Sequence, residues 1–267
     1  MVASSYGDRP KLLELLKEPV SEFQDFFLLA GRAYRNLARR PHYWDDVFLQ
    51  MDSIGVGSLI LVAQTGFFAG AVMAIQMARA LQTYGQVGKT GMLVSISLVR
   101  ELGPVLSALM VAARNASGMA SELGSMKVTE QIDAMRALGT DPVQKLVTPR
   151  LIATATMLPL LTTIADFVGI FGGWLIARFN LGITSVQYWN SVWTILVWND
   201  VLQGLLKPFI FANMIALVGC YYGLRTTGGT QGVGRSTTLA VVAAGIMIFV
   251  LDLMLTQCFV YAAAQGS

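Results

Sequence analysis

The sequence predicts an all-α membrane protein, with an N-terminal interfacial helix, five transmembrane helices and a cytoplasmic helix between the second and third spans. Three observations carry that expectation. Of 267 residues, 54% are hydrophobic and only 13% charged, against about a quarter charged in a soluble domain. Crossing ~30 Å of hydrocarbon takes about 20 apolar residues, and windows of that length lie near 54–78, 91–113, 150–178, 204–224 and 238–263. Lys and Arg concentrate in alternate connections, as the positive-inside rule requires.

Taken in order, residues 1–50 form an N-terminal unit and 51–267 the membrane domain. No short apolar core with a small-residue cleavage site occurs in the first fifty residues, so a removable signal peptide is not expected. Between 11 and 40, Leu12, Leu16, Phe23, Phe27 and Leu37 mix with Lys11, Lys17, Arg32, Arg35, Arg39 and Arg40. That mixture is too polar to cross a bilayer. It suits a helix lying on one, with Tyr43 and Trp44 at headgroup level, or an amphipathic helix packed on protein.

The segment between the second and third spans carries Arg114, Lys127, Arg136, Lys145 and Arg150, and a weaker basic loop holds Arg225 and Arg235. The intervening connections offer Arg79 with Lys89, and then Arg178. This alternation places the N-terminus in the cytoplasm and the C-terminus outside. Residues 121–138 can form one amphipathic helix with Leu123, Met126, Ile132, Met135 and Leu138 on one side, stopped by Gly139 and Asp141-Pro142. Such a helix can dock on a soluble protein or lie back on its own bundle. Tyr188 to Trp198 is aromatic-rich, too short to span and therefore interfacial.

Small residues recur at four-residue spacing in Gly66, Gly70, Ala74 and Ala78, in Ala112, Ala116, Ala120 and Gly124, in Ala165, Gly169, Gly173 and Ala177, and in the pair Ala240 and Ala244. These rows let helix backbones approach closely, chiefly within one subunit. No repeat relates two halves of the chain, so an inverted-repeat transporter is not supported, and five spans alone call for a second copy to enclose a path.

Composition and motifs exclude several function classes. The net charge of +3 is spread over several segments, which argues against nucleic-acid binding. His42 stands alone without a metal or catalytic partner set, so neither a catalytic nor a metal site is expected. Cys220 and Cys258 sit in apolar runs and are expected to be small buried hydrophobes. No Gly-x4-Gly-Lys-Ser/Thr loop occurs, so any nucleotide energy must come from a partner.

The informative residues are ionisable groups within the spans: Arg100, Glu101, Asp166, Lys207 and Asp252. Each would cost roughly 2.5–3.5 kcal/mol facing lipid at mid-membrane. They are therefore expected to face protein or a wet cavity, with Lys207 meeting Glu101 or Asp252 and Arg100 meeting a carboxylate or a lipid headgroup. Such pairs either fix helix register or work in transport. Gly103 and Pro104 follow Glu101 directly and predict a kink there.

Arg100-Glu101-Leu102-Gly103-Pro104, Ala113-Arg114, Glu122-x-Gly124-x-Met126-x3-Glu130-Gln131-x-Asp133-Ala134, Leu138-Gly139-x-Asp141-Pro142, Pro149-Arg150 and Leu251-Asp252 together resemble the MlaE (YrbE) permease family. The likeness runs from about residue 50 to the end. It implies the permease subunit of an ABC transporter in the inner membrane, moving phospholipid or related lipids. The implied partners are a second permease copy, a cytoplasmic ABC ATPase that binds the ATP, an MCE-domain protein on the outer side and, in some systems, a STAS-domain protein. It also implies that 121–138 is the coupling helix, which assigns ATPase contact to Glu122, Met126, Glu130, Gln131, Asp133, Arg136, Gly139, Asp141 and Pro142. By the same resemblance Arg100, Glu101, Lys207 and Asp252 form the polar network of the lipid path. The competing expectation is a proton-coupled secondary transporter with Glu101, Lys207 and Asp252 as its relay.

Overall fold

The computed structural model describes residues 9–39, 41 and 43–265, and the side chains of 21–39, 41 and 43–261. His42, Arg40 and the side chains of Lys11, Leu12, Leu16 and Lys17 lie outside the described residues. The chain folds into Arg9–Leu37 (α1), Trp44–Gln82 (α2), Val87–Val128 (α3), Gln131–Ala137 (α4), Val143–Phe179 (α5), Ser185–Ile195 (α6), Trp198–Leu224 (α7) and Gly229–Gln265 (α8). Helices α2, α3, α5, α7 and α8 are long and apolar enough to cross a membrane. This is an all-α membrane protein, and each expected window falls inside one of the five.

Glycine rows set how the spans pack. A Cβ on Gly66 would sit 2.4 Å from the Ala165 carbonyl oxygen, and one on Gly70 would sit 1.9 Å from that of Gly169. The rows on α2 and α5 therefore face each other in contact, running parallel. The second row meets α7, where a Cβ on Gly219 or Gly223 would lie 3.1 Å from the Cα of Ala116 or Ala120. Ala240 and Ala244 of α8 close the same core. Close approach of small residues within one subunit is thus what joins α2 to α5 and α3 to α7.

Helix α3 stays continuous past Pro104 by changing its winding. Wide π turns occupy Leu98–Leu102 and Ala112–Ala116, and Pro104 opens the α-helical stretch after the first. Proline has no N–H to donate, and the wide turn ahead of it places that loss at a junction. A third π turn, Val143–Val147, begins α5.

Two expectations are corrected here. Residues 121–138 do not form one helix. The second span runs on to Val128, and the chain then breaks at Glu130, whose φ of 59° is left-handed, before α4 starts at Gln131. Leu123 and Ile132 are buried as expected, but Leu138 is 83% exposed because it ends α4 beside Gly139, whose φ is 78°. Cys258 is also exposed, whereas Cys220 is buried.

Helix α1 lies against the end of the bundle that carries α4. Ala33 is fully buried there, with Phe26, Leu29, Ala30 and Leu37 packed around it, while Phe23, Phe27 and Leu28 are exposed on its other side. One face of this helix thus packs on protein, and exposed apolar side chains lie on the other. Helix α6 bridges the opposite end, its Tyr188 fully buried and donating its hydroxyl to the Ile170 carbonyl at 3.1 Å.

Candidate functional site

Charged side chains gather at two levels of the bundle. At the first, Lys207 of α7 is completely buried, and its Nζ donates to Glu101 Oε2 of α3 at 2.6 Å, to Asp252 Oδ1 of α8 at 2.9 Å and to Thr256 Oγ1 of α8 at 2.8 Å. All three ammonium hydrogens can therefore be used. Thr256 in turn donates to Glu101 Oε1 at 3.3 Å. The two carboxylates are not sealed in, with side chains 43% exposed for Glu101 and 21% for Asp252. The cluster therefore opens to the outside of the bundle beside the apolar face of α8, where Phe249, Leu253 and Met254 are exposed. Two carboxylates thus share one buried cation beside an apolar wall.

Arg100 does not join this cluster. It turns to Asp200 near the start of α7, its Nε donating to Asp200 Oδ1 at 2.6 Å, while Asp200 Oδ2 accepts from the Val197 backbone N–H at 3.1 Å. Of the four residues assigned to one network, Glu101, Lys207 and Asp252 meet, and Arg100 pairs separately. Arg100 and Glu101 are consecutive on the π turn Leu98–Leu102, so this single widened turn sends two charges to two different positions along α7. Asp200 and Thr256 were missed by sequence reasoning. Asp200 carried a signal, an acidic residue three positions into a helix, where it caps the entering chain; Thr256 carried none.

The second level lies at the α4 end. Arg150, buried at the head of α5, donates from Nη2 to Glu122 Oε2 at 2.7 Å and from Nη1 to the Leu146 carbonyl at 2.7 Å. Arg114 donates to the Ser53 carbonyl at 2.9 Å and to Ser58 Oγ at 3.0 Å, tying the second π turn to α2. Lys127 donates to Asp133 Oδ2 at 2.7 Å and Arg136 to Asp133 Oδ1 at 3.0 Å, bridging the break at Glu130. The Lys127 ammonium, aided by Arg136, holds the Asp133 carboxyl below its usual range. Asp141 Oδ1 accepts from the Val143 N–H at 3.0 Å and Oδ2 accepts from Asn36 of α1 at 3.0 Å.

The residues assigned to ATPase contact thus divide. Glu130, Gln131 and Arg136 are exposed on α4 and its entry, and Met126 packs half-buried beneath. Asp133 is held in ion pairs with Lys127 at the end of α3 and with Arg136 of α4. Glu122 and Asp141 tie helices together through Arg150 and Asn36, Pro142 is buried where α5 begins, and Gly139 with its left-handed φ closes α4 as the Thr140 N–H bonds to the Met135 carbonyl at 3.0 Å.

The family model described as Permease MlaE matches this chain over residues 47–258. The chain belongs to the MlaE permease family. Among proteins similar to this MlaE-family chain is a probable ABC transporter permease protein of Rickettsia bellii, 38% identical over 97% of both chains. The chloroplastic Protein TRIGALACTOSYLDIACYLGLYCEROL 1 of Arabidopsis thaliana is 34% identical over 90% of this chain and 68% of its own. The intermembrane phospholipid transport system permease protein MlaE of Haemophilus influenzae is 32% identical over 87% of this chain and 92% of its own.

Proposed function

We propose that this chain is the permease subunit of an ABC transporter that moves phospholipids, or related hydrophobic lipids, between the inner membrane and a periplasmic MCE pathway, energised by a cytoplasmic ATPase. The observation that carries this reading is the family match across residues 47–258, taken with the intermembrane phospholipid transport named for the Haemophilus influenzae relative. On this view two copies pack around a path whose apolar walls accept acyl chains, since each buried CH₂ contributes about 0.8 kcal/mol. The Glu101, Lys207 and Asp252 cluster stands at that path, and α4 with its exposed Glu130, Gln131 and Arg136 receives the ATPase. The α4 end is then cytoplasmic, with the N-terminus, and the end of α8 periplasmic. ATP binds to the partner and this subunit does no covalent chemistry.

The testing experiment extracts an affinity-tagged copy from native membrane and identifies co-purifying proteins and lipids by mass spectrometry. An ABC ATPase, an MCE-domain protein and bound phospholipid are expected, with a STAS-domain protein as an optional addition. Flux driven by a pH gradient in liposomes, with no ATPase recovered even after crosslinking, would overturn the reading in favour of an ion-coupled carrier.

A further inference from the structure

Beside Val99 of the first π turn, a lateral cavity of about 210 Å³ opens between α5, α6 and α7. Its wall is almost entirely apolar and includes Val99, Phe167, Trp189, Trp193 and Gly204, with one ionisable exception, Asp166. The residue is 8% exposed, its Oδ1 is buried against Gly103 without a hydrogen-bond partner, no salt bridge reaches it among the described residues, and it is the rest of the carboxyl group that lines the cavity. Gly103 is what admits it, because a Cβ there would lie 1.7 Å from Asp166 Oδ1. Phe167 and Trp193 stand 67% and 65% exposed, so the cavity is reached from the side of the bundle. Trp189 and Trp193 stack with ring centroids 6.4 Å apart.

We infer that this cavity is a binding site for a compact amphiphilic amine, an ammonium head on a small apolar body, with Asp166 as its counter-ion and the Trp189–Trp193 pair beside it. A buried carboxyl without a partner is costly, and an amine supplies what it lacks: the pair is net neutral whichever atom holds the proton. Indole faces attract cations, the more so where water is excluded. The volume falls below the roughly 300–1,000 Å³ of drug-sized sites, which fits a single compact body better than a whole two-chain lipid. The site is independent of the proposed transport function, because its occupant is recognised without cargo, nucleotide or ATPase.

The test uses the full chain in lipid nanodiscs, radiolabelled 1-adamantylamine as probe and unlabelled 1-adamantanol as its neutral isostere. Saturable amine binding above that of protein-free nanodiscs is expected, with the alcohol a weaker competitor. Asp166→Asn should weaken the amine by about tenfold or more, the value of a charge-assisted hydrogen bond, and change the alcohol by less than about twofold. Thr163→Phe, at the exposed edge of the cavity, should weaken both. Binding no greater than in empty nanodiscs, or amine affinity unchanged in Asp166→Asn, would overturn the assignment. Should Asp166→Asn fail to fold, Thr163→Phe and the preference of the native chain for amine over alcohol decide it.

Discussion

Lys207 is the residue whose replacement separates packing from function most clearly. It is fully buried while both its carboxylate partners touch the outside, so the cation, not the anions, is the group that cannot be rehydrated. Lys207→Met leaves two part-exposed carboxylates that water can reach, and is expected to cost about 2–3 kcal/mol, less than the roughly 3–5 kcal/mol of breaking a fully buried pair. Glu101→Gln should cost less than half as much, because Lys207 keeps Asp252 and Thr256; thermal unfolding in detergent measures both. The triple variant Lys207→Met, Glu101→Gln, Asp252→Asn should regain most of the lost stability, because no uncompensated charge is left in the cluster. Lipid transport should stay lost in it, and recovered transport would reduce the cluster to a register device. Glycines give a second residue-level contrast. At Gly70→Ala the new methyl meets the Gly169 backbone oxygen at 1.9 Å, so α2 and α5 must part, with an expected cost of ~1–3 kcal/mol. Gly118→Ala meets nothing within 4 Å and should stabilise α3 by about 0.5–1 kcal/mol.

Among the elements, the junction of α3 and α4 holds a strained residue where a glycine would sit freely. A non-glycine residue in the left-handed region costs roughly 1–2 kcal/mol, and strain of this kind persists where it is useful. Glu130→Gly is therefore expected to raise unfolding stability by up to about 1 kcal/mol yet to weaken capture of the ATPase, because the exposed carboxylate at the tip is gone. A pull-down at matched expression checks this; undiminished capture would remove Glu130 from the contact surface. The break also shows where sequence reading stops. The spans and their small-residue rows were legible because hydropathy and four-residue spacing are local; which row meets which, Gly66 with Ala165 and Gly70 with Gly169, emerges only in the fold. The left-handed glutamate was not, since its side chain carries no turn signal. Nor was the splitting of Arg100 from Glu101, which depends on how a π turn rotates neighbouring residues, or the cavity beside Asp166, which exists only once four helices are in place.

For the whole molecule, α8 is the element with the most left over. Among the described residues only 17% of its most apolar window is buried, the lowest share of the five spans, and Val242, Ile246, Phe249, Val250 and Leu253 are exposed along it. Apolar exposure alone suits lipid as well as protein. What distinguishes this face is the cluster next to it: the Glu101 and Asp252 carboxylates, part-exposed, should not face hydrocarbon, and a second copy would screen them. Two-fold symmetry would make that contact self-complementary, each α8 meeting its counterpart, and the proposed lipid path would then lie between the two clusters. In a background with Cys220 and Cys258 replaced, single cysteines at Ile246, Phe249 and Leu253 are expected to give self-crosslinked dimers in native membranes at one or more positions. Phe167→Cys, on α5 beside the lateral cavity, should give none. Crosslinking at Phe167 with none along α8 would move the seam to the α5 side and leave Glu101 facing something other than its own copy.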